Sequence, residues 1–360
     1  MINCNVLNLK EDENLTKLLK FDDEKYFYKN AEIAGEILKN GGLAAIPTET
    51  VYGLGANAFD AEAVKNIFKA KGRPNDNPLI VHVADIQMVE KIVTEIPPKA
   101  KMLMDAFWPG PLSIIMKKQD IIPDEVSAGL STVAVRMPEH KVALEIIKAS
   151  GVCVAAPSAN TSGRPSPTEA KHVLADLGDK IDAIADGGRC RVGIESTVID
   201  MTSPVPVILR PGGITANMIR EVIGQIKAPE IRLKDDDTPK CPGMKYQHYS
   251  PEAEVYVIEC AKSIKKSEVE KIIDIYGNGK NGILDCSLFC ADDFLGEYID
   301  CGDTSEKYAG ELFAALREFD IRKCDTVFAL ICFDDELSDS VRNRLYKAAG
   351  NKIIKTEEEK

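Results

Sequence analysis

Residues 47–55 read PTETVYGLG, and this run decides how the chain is organised. It follows the apolar residues Leu43 to Ile46, which read as a strand, and Pro47 ends that strand because proline lacks the N–H of a β-ladder. The run offers two threonine hydroxyls, a carboxylate and a tyrosine ring. Gly53 and Gly55 would let a ligand or another backbone come close. We therefore predict a polar loop directly after a buried strand.

A helix and a second strand follow this loop. Asp60 has the character of an N-cap, and Gly72 stands where a helix would stop. Apolar residues at helical spacing lie between them, so residues 61–71 are predicted to be helical. Residues 69–83 read KAKGRPNDNPLIVHV, whose last five residues predict a strand with His82 inside it. The order is strand, polar loop, helix, polar turn and strand.

Two cations at the end of that helix, Lys71 and Arg73, stand beside the amide side chains of Asn75 and Asn77. Cations, amides and a glycine-bearing loop together favour an anion site, most simply for a phosphate. The alternative is an ordinary helix end, where Lys and Arg complement the helix dipole. For His82 the alternative is a core histidine with no chemical role.

Six sequence blocks in a fixed order resemble the YrdC-type threonylcarbamoyl-adenylate synthases, in their long two-domain form. Each block alone would be weak, whereas six in order are specific. The first block joins the two runs above, PTETVYGLG followed by KAKGRPNDNPLIVHV. The others are PGPLS (109–113), STVAVRMP (131–138), APSANTSGRPSPT (156–168), ESTVID (195–200) and LRPGG (209–213).

The resemblance implies an enzyme that joins L-threonine, bicarbonate and ATP into L-threonylcarbamoyl-AMP and releases pyrophosphate. Mg²⁺ would accompany the ATP, and the protein itself would hold no metal. A downstream complex would then move the threonylcarbamoyl group to tRNAs that read ANN codons, and direct contact with tRNA is conceivable. The chain is expected in the cytoplasm, away from membranes.

The resemblance also implies which residues form the site. Lys71 and Arg73 would be catalytic, by neutralising charge that develops on phosphate. Threonine-binding positions would be Thr50, His82, Arg136 and Ser196. ATP-binding positions would be Arg73, Asn77, Thr132, Ser158, Asn160, Ser166, Arg210 and, more weakly, Tyr246.

Length and pattern set the expected fold. At 360 residues the chain exceeds one typical core. We predict a poorly packed lead-in over residues 1–28 and a catalytic domain over residues 29–231 with a twisted mixed α/β sheet, because strands and helices alternate irregularly there. In residues 252–360 predicted strands and helices alternate regularly, which indicates a smaller Rossmann-like α/β domain. This second domain carries no chemical motif.

Residues 232–251 predict a linker between the domains. The run KDDDTPKCPGMKYQHYSP (234–251) is too polar for a core, yet it carries Tyr246, His248 and Tyr249. In the two-domain form of the family this linker folds over the active site, so the resemblance implies the same for residues 246–249. The alternative is a linker that only packs between domains.

Composition excludes several classes of protein. The net charge is −12, and neither half has the basic excess of a general nucleic-acid binder. No apolar run approaches the ~18 residues of a membrane span, and the N-terminus has no secretory pattern. The ten cysteines form no CxxC pair, which favours reduced thiols over disulfides or a metal site.

Standard nucleotide motifs do not account for ATP binding. GxxxxGK[ST] is absent, and the GxGxxA string at Gly53, Gly55 and Ala58 is separated from its strand by polar residues. Two other functions remain open: an RNA-binding or regulatory module without turnover, and another nucleotidyl or carbamoyl transferase on the same fold. Dependence of pyrophosphate release on threonine separates both from the synthase.

Overall fold

A computed structural model of the chain describes residues 6–8, 16–227, 239–242, 248–261, 264–288 and 294–356. The chain divides into two compact units. The first comprises Met1–Ser162, Ser166–Arg191 and Glu195–Lys245, and the second comprises Gly163–Pro165, Val192–Ile194 and Tyr246–Lys360.

The first unit alternates strands and helices irregularly, as the sequence predicts. Its helices are α1 Glu24–Lys39, α2 Ala61–Lys71, α3 Ile86–Ile92, α4 Pro98–Phe107, α5 Asp124–Ser127, α6 Lys141–Ser150, α7 Ala170–Leu177 and α8 Ala216–Ile223. Its strands are β1 Val6–Asn8, β2 Lys17–Lys20, β3 Ala44–Ile46, β4 Gly53–Asn57, β5 Ile80–His82, β6 Leu112–Lys117, β7 Thr132–Arg136, β8 Val154–Ala155, β9 Ala183–Asp186, β10 Thr197–Asp200 and β11 Val207–Arg210.

These strands form one mixed sheet in the order β1-β2-β9-β3-β4-β8-β5-β7-β6-β10-β11. Parallel pairs such as β5 with β7 alternate with antiparallel pairs such as β6 with β7. The prediction of a mixed sheet is confirmed. Helix α2 begins and ends where predicted: Asp60 accepts hydrogen bonds from the N–H groups of Glu62 and Ala63, and Gly72 is left-handed.

Along the central strands β5, β6 and β7, the main core lies on one side of this sheet. In β7, Val133 and Val135 are buried in it, together with neighbours such as Ile114 of β6. Helix α1 packs against α6 so closely that a Cβ at Gly35 would lie 2.7 Å from the backbone nitrogen of Ser150. The opposite side of the central strands does not belong to this core.

The segment before residue 29 differs from the predicted lead-in. Lys17–Lys20 forms β2, which pairs in parallel with β9, and Leu19 is fully buried. Helix α1 starts at Glu24 with Asp23 as its N-cap. The mixed polar composition hid this strand, because only one of its four side chains enters the core.

The second unit contains a parallel five-stranded sheet, as predicted for a small doubly wound domain. Its strands are β12 Glu254–Glu259, β13 Asn281–Asp285, β14 Glu297–Asp300, β15 Thr326–Ile331 and β16 Ile353–Lys355, in the order β14-β13-β15-β12-β16. Its helices are α9 Lys266–Tyr276, α10 Ser305–Ile321 and α11 Ser338–Ala348.

Candidate active site

The side of the central strands opposite the main core carries buried polar side chains beside a small apolar cluster. His82 of β5 pairs with Arg136 of β7, so both side chains leave the sheet on the same side. Residues that pair across neighbouring strands lie on the same side of the sheet. Ile115 of β6 pairs with Ala134 of β7, and Val198 of β10 pairs with Ser113 of β6 and Arg210 of β11, so this side continues across β6, β10 and β11. We call this the polar face. Its polar residues include Thr132, His82, Arg136, Ser113 and Arg210.

Arg136 makes three contacts on the polar face. Its guanidinium is buried and lies 2.7 Å from Oε1 of buried Glu49, measured from Nη2. Nη1 donates to Oγ1 of Thr50 at 2.9 Å, and Nε donates to the carbonyl of Gly110 at 3.2 Å. The loop between β3 and β4 is thereby tied to the end of β7. The family resemblance implies that Thr50 and Arg136 share one site, and the structure brings them into contact.

The loop that carries Thr50 is held by its own hydroxyls. Thr48 Oγ1 accepts from the N–H groups of Thr50 and Val51, at 3.1 and 3.2 Å. It also lies 2.8 Å from the hydroxyl of Thr50. Glu49 Oε2 accepts from the backbone N–H of Glu139 at 3.1 Å. These bonds fix the carboxylate and the Thr50 hydroxyl in place before any ligand binds.

His82 stands beside Arg136 in a dry environment. Burial, and then the positive charge of Arg136, lower the pKa of His82 from 6.5 to about 3. Its imidazole is therefore neutral at physiological pH. Nδ1 is buried and makes no hydrogen bond of normal geometry among the described residues, although backbone groups of Ile80 and Val154 lie near the ring. Buried polar atoms in proteins are usually hydrogen-bonded. A neutral ring with a buried nitrogen that lacks such a bond is therefore more typical of a residue beside a ligand than of a purely structural residue.

The depressed pKa of His82 predicts a pH dependence of stability. The unfolded chain takes up this proton below about pH 6.5, whereas the folded chain resists until the pH approaches 3. The neutral His82 therefore lowers the free energy of unfolding only below about pH 6.5. The loss grows as the pH falls and reaches about 2 kcal/mol at pH 5. Urea unfolding across this range should show a steeper loss for the wild type than for His82→Gln. Equal slopes would contradict a buried neutral His82.

Ser196 and Arg210 form a second group on the polar face. Arg210 Nε donates to the carbonyl of Ser196 at 3.0 Å, and Nη2 donates to its hydroxyl at 3.1 Å. The Ser196 hydroxyl also lies 2.8 Å from that of Ser113. Gly212 allows this packing, because a Cβ there would lie 2.3 Å from the backbone nitrogen of Thr197. The structure therefore joins a predicted threonine-binding residue to a predicted ATP-binding residue.

Lys71 links helix α2 to the polar loop after β8. Its ammonium is buried and donates to the carbonyls of Ser158 and Asn160. The Ser158 hydroxyl donates to Oδ1 of Asn160 at 2.5 Å. The three predicted site residues come together, with the lysine holding the loop. Its predicted catalytic role remains a prediction.

Ser166 connects the same loop to the segment before β10. Its hydroxyl is fully buried and donates to Oε1 of Glu195 at 2.6 Å. Glu195 directly precedes Ser196 in the chain. The far end of the loop is thereby fixed beside the Ser196 and Arg210 group.

Asn77 and Arg73 lie on the turn between α2 and β5. Arg73 Nη2 donates to the carbonyl of Asn77 at 3.2 Å. The side-chain amide of Asn77 is buried, yet neither its nitrogen nor its oxygen has a hydrogen-bond partner among the described residues. A buried amide without partners is rare in proteins unless a ligand or water completes it.

Residues 239–242 of the predicted linker lie on the polar face. Cys241 is fully buried against Ile80, Ile115, Ala134 and Val198. Lys240 pairs with Asp200 at 3.0 Å, and Arg210 Nη1 reaches the carbonyl of Pro242 at 3.5 Å. This part of the linker therefore packs on the polar face across β5, β6, β7 and β10. Tyr246 lies outside the described residues, so its predicted role stays a prediction.

Sequence reasoning missed three residues that organise the site: Glu49, Ser113 and Glu195. Each lies inside a block that pointed to the site, and each supports a predicted residue through a contact with Arg136, Ser196 or Ser166. Their position in these blocks was the available signal. The partner of each lies 29 or more residues away, which local pattern cannot indicate.

The described part of the chain holds no group of three or more His, Cys, Asp or Glu side chains arranged for a metal ion. Within the same residues, no helix is both long enough and apolar enough to span a bilayer.

Two family models match the chain in succession. The first, described as "Telomere recombination", matches residues 36–212. The second, described as "Threonylcarbamoyl-AMP synthase, C-terminal domain", matches residues 214–350. Together they span both units.

Similar curated proteins carry the name threonylcarbamoyl-AMP synthase. The protein from Pyrococcus abyssi is 48% identical over 326 residues, which cover 90% of this chain and 95% of that relative. The protein from Bacillus subtilis is 44% identical over 328 residues, covering 89% and 93%. The protein from Schizosaccharomyces pombe is 40% identical over 357 residues, covering 88% of each.

Solved structures of Sua5 from P. abyssi share the fold. The structure of a double variant superimposes on this chain with a TM-score of 0.89 at 45% identity. The match covers 95% of this chain and 98% of the solved chain. Another, in complex with L-threonine, gives a TM-score of 0.87 at 45% identity over 94% and 99%. The chain therefore belongs to the threonylcarbamoyl-AMP synthase family and is an enzyme of it, which confirms the prediction from the six ordered blocks.

Proposed function

We propose that this enzyme joins L-threonine, bicarbonate and ATP into L-threonylcarbamoyl-AMP. The threonine amine adds to the carbon of CO₂, which is formed from bicarbonate, and loses a proton to give an N-carboxylate. An oxygen of this carboxylate attacks the α-phosphorus of ATP, and the bond to the β-phosphate oxygen breaks, so that pyrophosphate leaves. The protein need supply no nucleophile, only positioning and neutralisation of phosphate charge.

The threonine site is assigned to Thr50, His82, Arg136 and Ser196. The observation that carries the proposal is the buried guanidinium of Arg136 on the polar face. Its contact with Glu49 is close, but Nη2 makes no aligned hydrogen bond there. A buried guanidinium that Glu49 and Thr50 hold in one orientation is suited to the carboxylate of an amino acid. The relative from P. abyssi that was solved with L-threonine supports the same substrate.

The nucleotide site is assigned to the residues around the polar loop and the turn after α2. The unpartnered amide of Asn77 can hydrogen-bond a base, ribose or phosphate. Arg73 and Arg210 supply positive charge for the phosphates, since guanidinium groups match phosphate oxygens in pairs. The remaining residues assigned to ATP are Thr132, Ser158, Asn160, Ser166 and Tyr246.

Mg²⁺ would arrive with the nucleotide. The ion would be held mainly by phosphate oxygens and water, which is how Mg²⁺ usually accompanies ATP in proteins. Bound there, it would neutralise phosphate charge while Arg73 and Arg210 hold the phosphates and Lys71 holds the loop beside them.

The product would feed threonylcarbamoyl transfer to tRNAs that read ANN codons, carried out by a separate complex in the cytoplasm. An acidic protein without a general basic excess fits an enzyme that hands on a small adenylate better than one that holds tRNA tightly. Binding of tRNA in the absence of ATP and threonine would favour the RNA-binding alternative.

Isotopically labelled bicarbonate tests the proposed chemistry. The enzyme is incubated with labelled bicarbonate, L-threonine and Mg-ATP, and the adenylate is analysed by mass spectrometry. We expect one labelled carbon in the threonylcarbamoyl group. An adenylate without the label would overturn the proposal. So would the absence of any adenylate product in a preparation that binds ATP.

A further inference from the structure

Four strands of the parallel sheet in the second unit are each followed at once by a cysteine. Because parallel strands run in the same direction, their carboxyl ends meet at one edge of the sheet. This edge is where doubly wound domains place their functional groups. The cysteines are Cys260 after β12, Cys286 after β13, Cys301 after β14 and Cys332 after β15.

Two of these thiols are in direct contact. The sulfur atoms of Cys286 and Cys332 lie 3.3 Å apart. They follow β13 and β15, which are hydrogen-bonded neighbours. In this register the two cysteines are offset by one residue, so strands about 4.8 Å apart with a rise of about 3.3 Å per residue place their Cα atoms about 6 Å apart, within the range of about 4.4–6.8 Å that a disulfide bridges. Rotation of the two side chains can therefore close a bond without moving the sheet.

The two thiols differ in their surroundings. Cys286 is 2% exposed, whereas Cys332 is half-buried. The hydrogen bond with Cys332, and then burial, raise the pKa of Cys286 well above its usual range, so Cys286 keeps its proton. Cys332 is thus the more exposed residue of the pair, which makes it the better candidate to meet a dissolved oxidant, and Cys286 is its buried neighbour.

We propose that Cys286 and Cys332 form a redox-active dithiol site that closes to a disulfide with a peroxide. The Cys332 thiolate attacks one peroxide oxygen: a sulfur–oxygen bond forms, the oxygen–oxygen bond breaks, and hydroxide leaves and is protonated. The Cys286 sulfur then attacks the Cys332 sulfur, the sulfur–oxygen bond breaks, and water leaves with the thiol proton. Two thiols and one hydrogen peroxide thus give one disulfide and two waters. A dithiol reductant reverses the reaction.

Peptide mapping of the full-length protein tests the site. The reduced protein is treated with dilute hydrogen peroxide, its free thiols are alkylated, and it is digested without reductant. We expect a linked peptide pair that joins Cys286 to Cys332, a loss of two hydrogen atoms from the protein, and recovery of both with dithiothreitol. The proposal is overturned if both cysteines remain free while other thiols oxidise, or if Cys332 pairs with another cysteine.

Variants separate the two roles. In Cys286→Ser and in Cys286→Ala, the sulfenic acid on Cys332 should persist and be trapped by dimedone, at several times the wild-type yield. The matched control is Cys324→Ser, which removes a buried thiol at the opposite end of β15 and should leave the linked peptide unchanged. Equal dimedone labelling in the wild type and both Cys286 variants would exclude Cys286 as the resolving thiol.

Discussion

Replacing Arg136 with methionine is expected to remove most activity and much stability. Glu49 would be left as a buried charge without its partner, which costs about 3–5 kcal/mol of the free energy of unfolding. If Arg136 also holds the substrate carboxylate, turnover should fall by about 10²–10³-fold. Urea unfolding measures the first effect, and steady-state kinetics at varied L-threonine measures the second.

Two further variants separate folding from catalysis. Arg136→Lys keeps a positive charge near Glu49 but loses the planar fork, so it should retain more stability than Arg136→Met and still lose activity. The matched control is Arg191→Met, because Arg191 makes an ion pair with Glu139 in which the two side chains are 71% and 54% exposed. That change should cost no more than about 1 kcal/mol. Near wild-type turnover in Arg136→Met would exclude Arg136 from the threonine site.

Replacing Lys71 with methionine is expected to loosen the loop that carries Ser158 and Asn160. Two carbonyls would lose a charged donor, at about 1–3 kcal/mol each where they stay buried. Because this loop is assigned to ATP, the KM for ATP should rise about 10–100-fold. Pyrophosphate release at varied ATP and saturating threonine measures the change.

Lys69→Met provides the matched control for Lys71. Lys69 lies on the same helix, is exposed, and donates to Oδ1 of Asn66. It should leave the KM for ATP and the free energy of unfolding close to the wild type. If both lysine variants behave alike, the buried contact of Lys71 does not organise the ATP site.

The polar face of β7 could be predicted because polar and apolar residues alternate along this strand. Thr132 and Arg136 alternate with Val133 and Val135, and a strand sends such residues to opposite sides. The pairing of Arg136 with Glu49 could not be predicted, since it joins residues far apart in sequence. A buried ion pair depends on which strands become neighbours, and residue spacing carries no such information.

Strand β4 shows how a glycine signal misleads. Gly53 and Gly55 indicate a loop, yet both lie in a strand between β3 and β8. A Cβ at Gly55 would lie 2.8 Å from Cγ1 of Val154 and 3.2 Å from the carbonyl of Ala44. Crowding from both neighbouring strands, rather than a turn, calls for glycine there. Such crowding exists only once the sheet is assembled.

Release of pyrophosphate from ATP in the presence of bicarbonate tests the central claim most directly. It is measured with L-threonine, with L-serine and without an amino acid. We predict turnover that requires both threonine and bicarbonate, that is much weaker with serine, and that yields an adenylate with the mass of threonylcarbamoyl-AMP. Turnover that ignores threonine, or no turnover in a folded preparation that binds ATP and threonine, would contradict this function.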